Sequence, residues 1–88
     1  MKEIFKVSSK TEPGKLAGAM AGVVRTGGEI SIQAIGAGAV NQAVKAVAIA
    51  RGFLASAGIE VAIVPSFKGQ ELDERFVTSM ALDLEVKR

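Results

Sequence analysis

The 88-residue chain has no cysteine, no histidine, no tryptophan and no tyrosine. Without cysteine there is no disulfide, no thiol nucleophile and no thiolate metal site. Without histidine the commonest general base and the commonest metal ligand are gone. Four phenylalanines are the only aromatics. They fall at strand or core spacing, which gives little support to stacking of single-stranded bases. No apolar run reaches the roughly 18–20 residues that span a bilayer, and no N-terminal stretch reads as a secretion signal. These absences lead us to expect a soluble, cytoplasmic protein with no membrane partner.

Catalysis is equally poorly provided for. The nine carboxylates sit in turns or on polar faces. Ser8 and Ser9 have no histidine to activate them, and nothing supports Lys45 as a substitute base. General acid–base work needs positioned groups of tuned pKa, so we expect no enzyme activity, no metal, no cofactor and no small-molecule substrate.

Hydrophobic residues make up 49% of the sequence. A chain of this length forms a single domain, residues 1–88, and buries only about 60–65% of its unfolded surface. That is more apolar side chain than a small monomer hides easily, and a symmetric dimer is the simplest resolution. The net charge of +2 is small but unevenly spread. Residues 1–28 carry Lys2, Lys6, Lys10, Lys15 and Arg25 against Glu3 and Glu12, whereas residues 67–88 are slightly acidic.

Ile4 to Ser8 reads as a short strand. A polar loop, Ser8 to Thr11, follows, and Pro13 suits the first turn of a helix. Leu16, Met20 and Val23, with Ala19 and Val24 beside them, form a core stripe that ends at Gly27 and Gly28. Gly14, Gly18 and Gly22 lie four apart on the other side of this helix, where we expect close packing against a neighbouring helix in preference to a ligand. Ile30, Ile32 and Ala34 alternate with Ser31 and Gln33 as in a strand. Gly36 and Gly38 break the strand, and an alanine-rich helix runs from Ala39 to about Leu54.

On a helical wheel this second helix is apolar on two sides. Val40, Ala43, Val44, Val47 and Leu54 cluster on one, with Arg51 among them by angle. Ala46, Ile49 and Phe53 lie nearly opposite, which makes them the candidate dimer interface. Ile59 to Phe67 reads as a strand covered on both faces, with Pro65 indicating an edge or a bulge. Lys68 to Glu74 reads as a turn. From Phe76 to Val86 apolar residues alternate with mostly polar ones, the clearest strand in the chain. The order β-α-β-α-β-β predicts an α/β two-layer sandwich, a four-stranded mixed sheet with both helices on one face.

The two helix starts carry anion-friendly residues. Ser9, Lys10 and Lys15 stand at the first, and Gly36, Gly38, Asn41, Gln42 and Lys45 at the second. Free N–H groups at a helix start attract phosphate, and such contacts position a nucleic-acid backbone without reading bases. A dinucleotide site is disfavoured. Asn41 stands where the third fingerprint glycine belongs, and the strand ending at Pro65 and Ser66 lacks the acid that would hold a ribose.

The segment from Ser31 to Phe53, SIQAIGAGAVNQAVKAVAIARGF, is very similar to sequences of the stage V sporulation protein S family. The likeness extends to Phe5-Lys6-Val7-Ser8 and to Pro13 through Val24, and weakens from Lys68 to Arg75. The family in turn resembles, more distantly, the Alba-type chromatin proteins, which share the element order, dimerise and bind DNA or RNA. That resemblance implies an Alba-like fold and places Lys10 and Lys15 where Alba lysines contact nucleic acid. Alba proteins also extend a basic hairpin arm. Here the matching turn is acidic (Glu71, Asp73, Glu74) with only Lys68 and Arg75 at its flanks, which implies weaker binding or a surface restricted to the helix starts. The implied biology is a regulatory role in sporulation: septation, spore-coat assembly or developmental control.

Two readings from different classes follow. One is a dimeric nucleic-acid-binding regulator. The other is a non-enzymatic protein-interaction adaptor whose partner covers the apolar second face of the long helix or the glycine face of the first.

Overall fold

Pro13 has a fixed φ and no N–H, which confines it to the first turn of a helix and pushes the residue before it into extended backbone. Glu12 accordingly sits at φ −85°, ψ 117°, and the first helix α1 runs Pro13–Arg25. It stops where Gly27 turns to φ +85°. There the Gly27 N–H donates to the Val24 carbonyl and the Gly28 N–H to the Val23 carbonyl, each at 3.0 Å. This pair of bonds takes up carbonyls the helix would otherwise leave unpaired.

The computed structural model describes residues 2–68 and 79–88. Strand β1 is Lys2–Val7, β2 is Glu29–Ile35, the second helix α2 is Ala37–Ala55, β3 is Glu60–Phe67 and β4 is Ser79–Lys87. The predicted order β-α-β-α-β-β and the four-stranded mixed sheet are both present. Strands lie in the order β1-β2-β4-β3. β1 pairs parallel to β2, while β4 pairs antiparallel with both β2 and β3. β3 is therefore an edge, the position at which a strand tolerates Pro65.

The period of two sends alternate residues to opposite faces. Ile30, Ile32 and Ala34 of β2 are buried beneath the helices, and Leu82 and Val61 join them from β4 and β3. Met20, Val24 and Leu54 close this core from the helical side. Register places Ile4, Ser31, Asp83 and Val64 in one row across the uncovered face. Ser31 donates from Oγ to Asp83 Oδ1 at 2.6 Å there, tying β2 to β4.

Several expectations are corrected. β3 is covered on one face only, and Ala62 and Val64 are exposed on the other. Among the described residues no neighbouring helix packs on the glycine side of α1, and none lies within 4 Å of a Cβ built at Gly14, Gly18 or Gly22. Val44 is 45% exposed, whereas Ala46 is fully buried in the chain's own core. Arg51 is exposed and pairs with Glu60 of the same chain at 2.6 Å. Alanines explain the rotation of α2. Ala39, Ala43, Ala46 and Ala50 face inward, and their small side chains let the helix axis approach its neighbours closely. The predicted turn after Lys68 and the start of the last strand at Phe76 lie outside the described residues. Lys68 donates its N–H to the Ser79 carbonyl at 2.8 Å. No helix among the described residues is long and apolar enough to cross a membrane.

Candidate nucleic-acid interface

Because β1 and β2 run parallel, their C-terminal ends lie side by side, and the two segments that leave them meet. The first is the loop from Ser8 to Glu12. It is braced internally: Thr11 Oγ1 accepts from the Ser8 N–H at 2.9 Å, and Ser8 Oγ accepts from the Lys10 N–H at 3.1 Å. The second is the turn into α2. Gly36 caps this helix at φ +93°, ψ 158°, and has no side chain to take the first-turn N–H groups. These groups have no acceptor within the helix, and their dipoles favour an anion.

Two contacts lock loop to helix. A Cβ built on Gly38 would stand 2.8 Å from Ser9 Cβ, so glycine alone lets the first turn of α2 approach the loop this closely. One turn on, Gln42 Nε2 donates to the Thr11 carbonyl at 2.9 Å. A pocket of about 650 Å³ opens at this junction, lined by Lys6, Ser8, Ser9, Gln33, Gly36 and Gly38 among others. Ile35, which is 60% exposed, and Val7 supply apolar wall.

The sequence-predicted residues divide accordingly. Ser9, Gly36 and Gly38 line the pocket. Lys10 is exposed on the braced loop beside it. Gln42 is a brace, and its Oε1 accepts from Asn41 Nδ2 at 3.3 Å. Lys15 points to solvent with its ammonium 3.7 Å from Glu12 and does not line the pocket. Lys45 is exposed on α2, about 12 Å along the axis from the helix start at 1.5 Å per residue. The structure adds Lys6, Ser8 and Gln33, which the sequence reading missed. Lys6 and Gln33 are register partners on β1 and β2. Their alternation with buried Val7 and Ala34 was visible, but not that these strands are neighbours.

Of the candidate interface residues, Ile49 is 37% and Phe53 44% exposed, one turn apart on α2. Arg25 Nη2 donates to the Phe53 carbonyl at 3.1 Å and so ties the end of α1 to this patch. Ala46 is not part of it.

The family model for Stage V sporulation protein S (SpoVS) matches residues 3–87 of the chain.

Proposed function

The chain belongs to the stage V sporulation protein S family, a small sporulation-related protein, and we propose that it acts as a nucleic-acid-binding regulator that grips phosphate at the junction of the β1–α1 loop and the start of α2. The observation that carries this reading is convergence. The Ser9–Gly38 contact brings a braced, lysine-bearing loop against a helix start whose N–H groups have no side-chain cap. Lys6 and Lys10 supply charge at that end, and Ser8, Ser9 and Gln33 supply hydrogen-bonding groups. Such contacts hold a backbone in place without reading its sequence. A second copy of the chain, covering Ile49 and Phe53, completes the reading.

Fluorescence anisotropy tests it, with random duplex DNA, single-stranded DNA and RNA titrated over a range of salt. Lys6→Glu and Lys10→Glu are each expected to weaken binding. Each lost phosphate contact should also flatten the slope of log affinity against log salt by about 0.9 on duplex DNA. Absence of binding to all three at the lowest salt would replace this reading with that of a protein-interaction adaptor, for which the exposed Val44, Ile49 and Phe53 on α2 are the supporting observation.

A further inference from the structure

The two layers of the molecule carry different charge. α1 and α2 contain Lys15, Arg25, Lys45 and Arg51 and not one acidic residue. Lys15 lies near Glu12 and Arg51 pairs with Glu60, while Lys45 and Arg25 have no ion-pair partner among the described residues. The helical layer exposes Ile49 and Phe53 on one flank of α2 and Val44 on the other. Among the described residues, none lies within 4 Å of a Cβ built at Gly18, Gly22 or Gly52.

A two-fold dimer through this surface presents the same patch from both copies. It would set Arg25 and Lys45, which have no acid partner among the described residues, against the same two cations of the other copy, and like charges facing each other across an interface repel. The uncovered sheet face is chemically different. Its two middle strands present Glu29, Asp83 and Glu85, with Lys87 at the end of β4 as their only base. On the edge strand β1, Lys2 lies beside Glu29 and Lys6 beside Gln33 in register. The same face exposes Ile4 and Val64, while Ile35 at its end belongs to the pocket wall.

Resting on the reading that a second copy covers Ile49 and Phe53, we propose that the covering surface is that copy's uncovered sheet face: the helices of one chain dock on the sheet of the next. The cations of the helical layer then meet the acids of the middle strands, and both sets of exposed apolar side chains leave water. This contact is head-to-tail, so it is not limited to two chains and grows into a ring or a stack.

Sedimentation equilibrium of the full chain, without nucleic acid, tests the arrangement. The wild type should associate beyond the dimer as concentration rises, and less so at high salt. Ile49→Glu disables the helical surface and the pair Val64→Lys, Glu85→Lys disables the sheet surface. Each variant alone should be monomeric. Mixed in equal amounts they should form a one-to-one dimer and nothing larger, because the intact sheet of the first fits the intact helices of the second. Circular dichroism checks that each variant is folded. Phe53→Ser and Ile4→Lys replace any that is not. A wild type that stays monomeric overturns both the proposal and the second-copy reading beneath it. A wild type that closes at a dimer, with the sheet variant still dimeric, overturns head-to-tail docking alone and leaves that reading standing. Nucleic-acid binding by the same variants is read separately by anisotropy.

Discussion

Gly36 adopts φ +93°, ψ 158°, a region that costs a side-chain-bearing residue about 1–3 kcal/mol. Gly38 has ordinary helical backbone, but a Cβ there would come within 2.8 Å of Ser9 Cβ. Gly18 is the opposite case: it is mid-helix on α1, with nothing within 4 Å of an added Cβ, where glycine costs about 0.5–1 kcal/mol relative to alanine. The three glycines therefore separate in one urea-unfolding series. Gly36→Ala should lower stability by about 1–3 kcal/mol, and Gly38→Ala by a similar amount through overpacking. Gly18→Ala should raise it by up to about 1 kcal/mol. An unchanged midpoint for Gly36→Ala would remove the strained-turn account of the α2 cap. The sequence marked Gly36 and Gly38 as breakers at a helix start. It did not show that Gly38 faces Ser9, because that contact depends on β1 and β2 being parallel neighbours, and pairing is not written in either segment alone.

Strands and helices were legible wherever side-chain size follows the period. α1 was readable in extent from Pro13 to the Gly27 stop, but its stripe is shifted from the predicted one: Leu16, Ala17, Met20, Ala21 and Val24 are buried, whereas the expected Val23 is half-buried and Ala19 exposed. β4 alternates Met80, Leu82, Leu84 and Val86 with neighbours that are polar except for Ala81, and its faces were readable too. α2 was not, since a helix rich in alanine has no dominant face by composition, and its direction is settled by how closely its neighbours can approach. Hence Ala46 turned inward while Val44 and Arg51 turned out. The polar links between elements also differ in weight. Ser31 is 7% exposed and donates to the Asp83 carboxylate at 2.6 Å, and a hydrogen bond to a charged acceptor contributes about 1.5–3 kcal/mol. Arg51 and Glu60 are both more than half exposed, and such pairs contribute about 0–1 kcal/mol. Ser31→Ala should therefore shift the urea midpoint more than Arg51→Ala does. The reverse order would mean that the tie between α2 and β3, not that between β2 and β4, holds the sheet.

Across the whole molecule, bulky and small apolar side chains are distributed against expectation. Among the described residues, eight of the nineteen buried hydrophobics are alanines. Ile4, Ile35, Val44, Ile49, Phe53, Val64 and Phe67 are left exposed. Alanine lets the layers approach but removes little area from water, and hydrophobic stabilisation scales with that area. An isolated chain is thus modestly stable, and the proposed association, in covering the exposed side chains, would be linked to folding by mass action. In the proposed head-to-tail stack, each tenfold rise in concentration above the association midpoint adds about 1.4 kcal/mol per chain to the folded state, about twice what a closed dimer adds. For a domain of this size that raises the thermal midpoint by roughly 5–10 °C. Calorimetry at increasing protein concentration should show this rise. Val64→Lys should flatten it while leaving the dilute-limit midpoint near that of the wild type, because Val64 is already 46% exposed in the single chain. A wild-type midpoint independent of concentration would mean that the alanine-lined core alone sets the stability and that the exposed side chains meet no second copy.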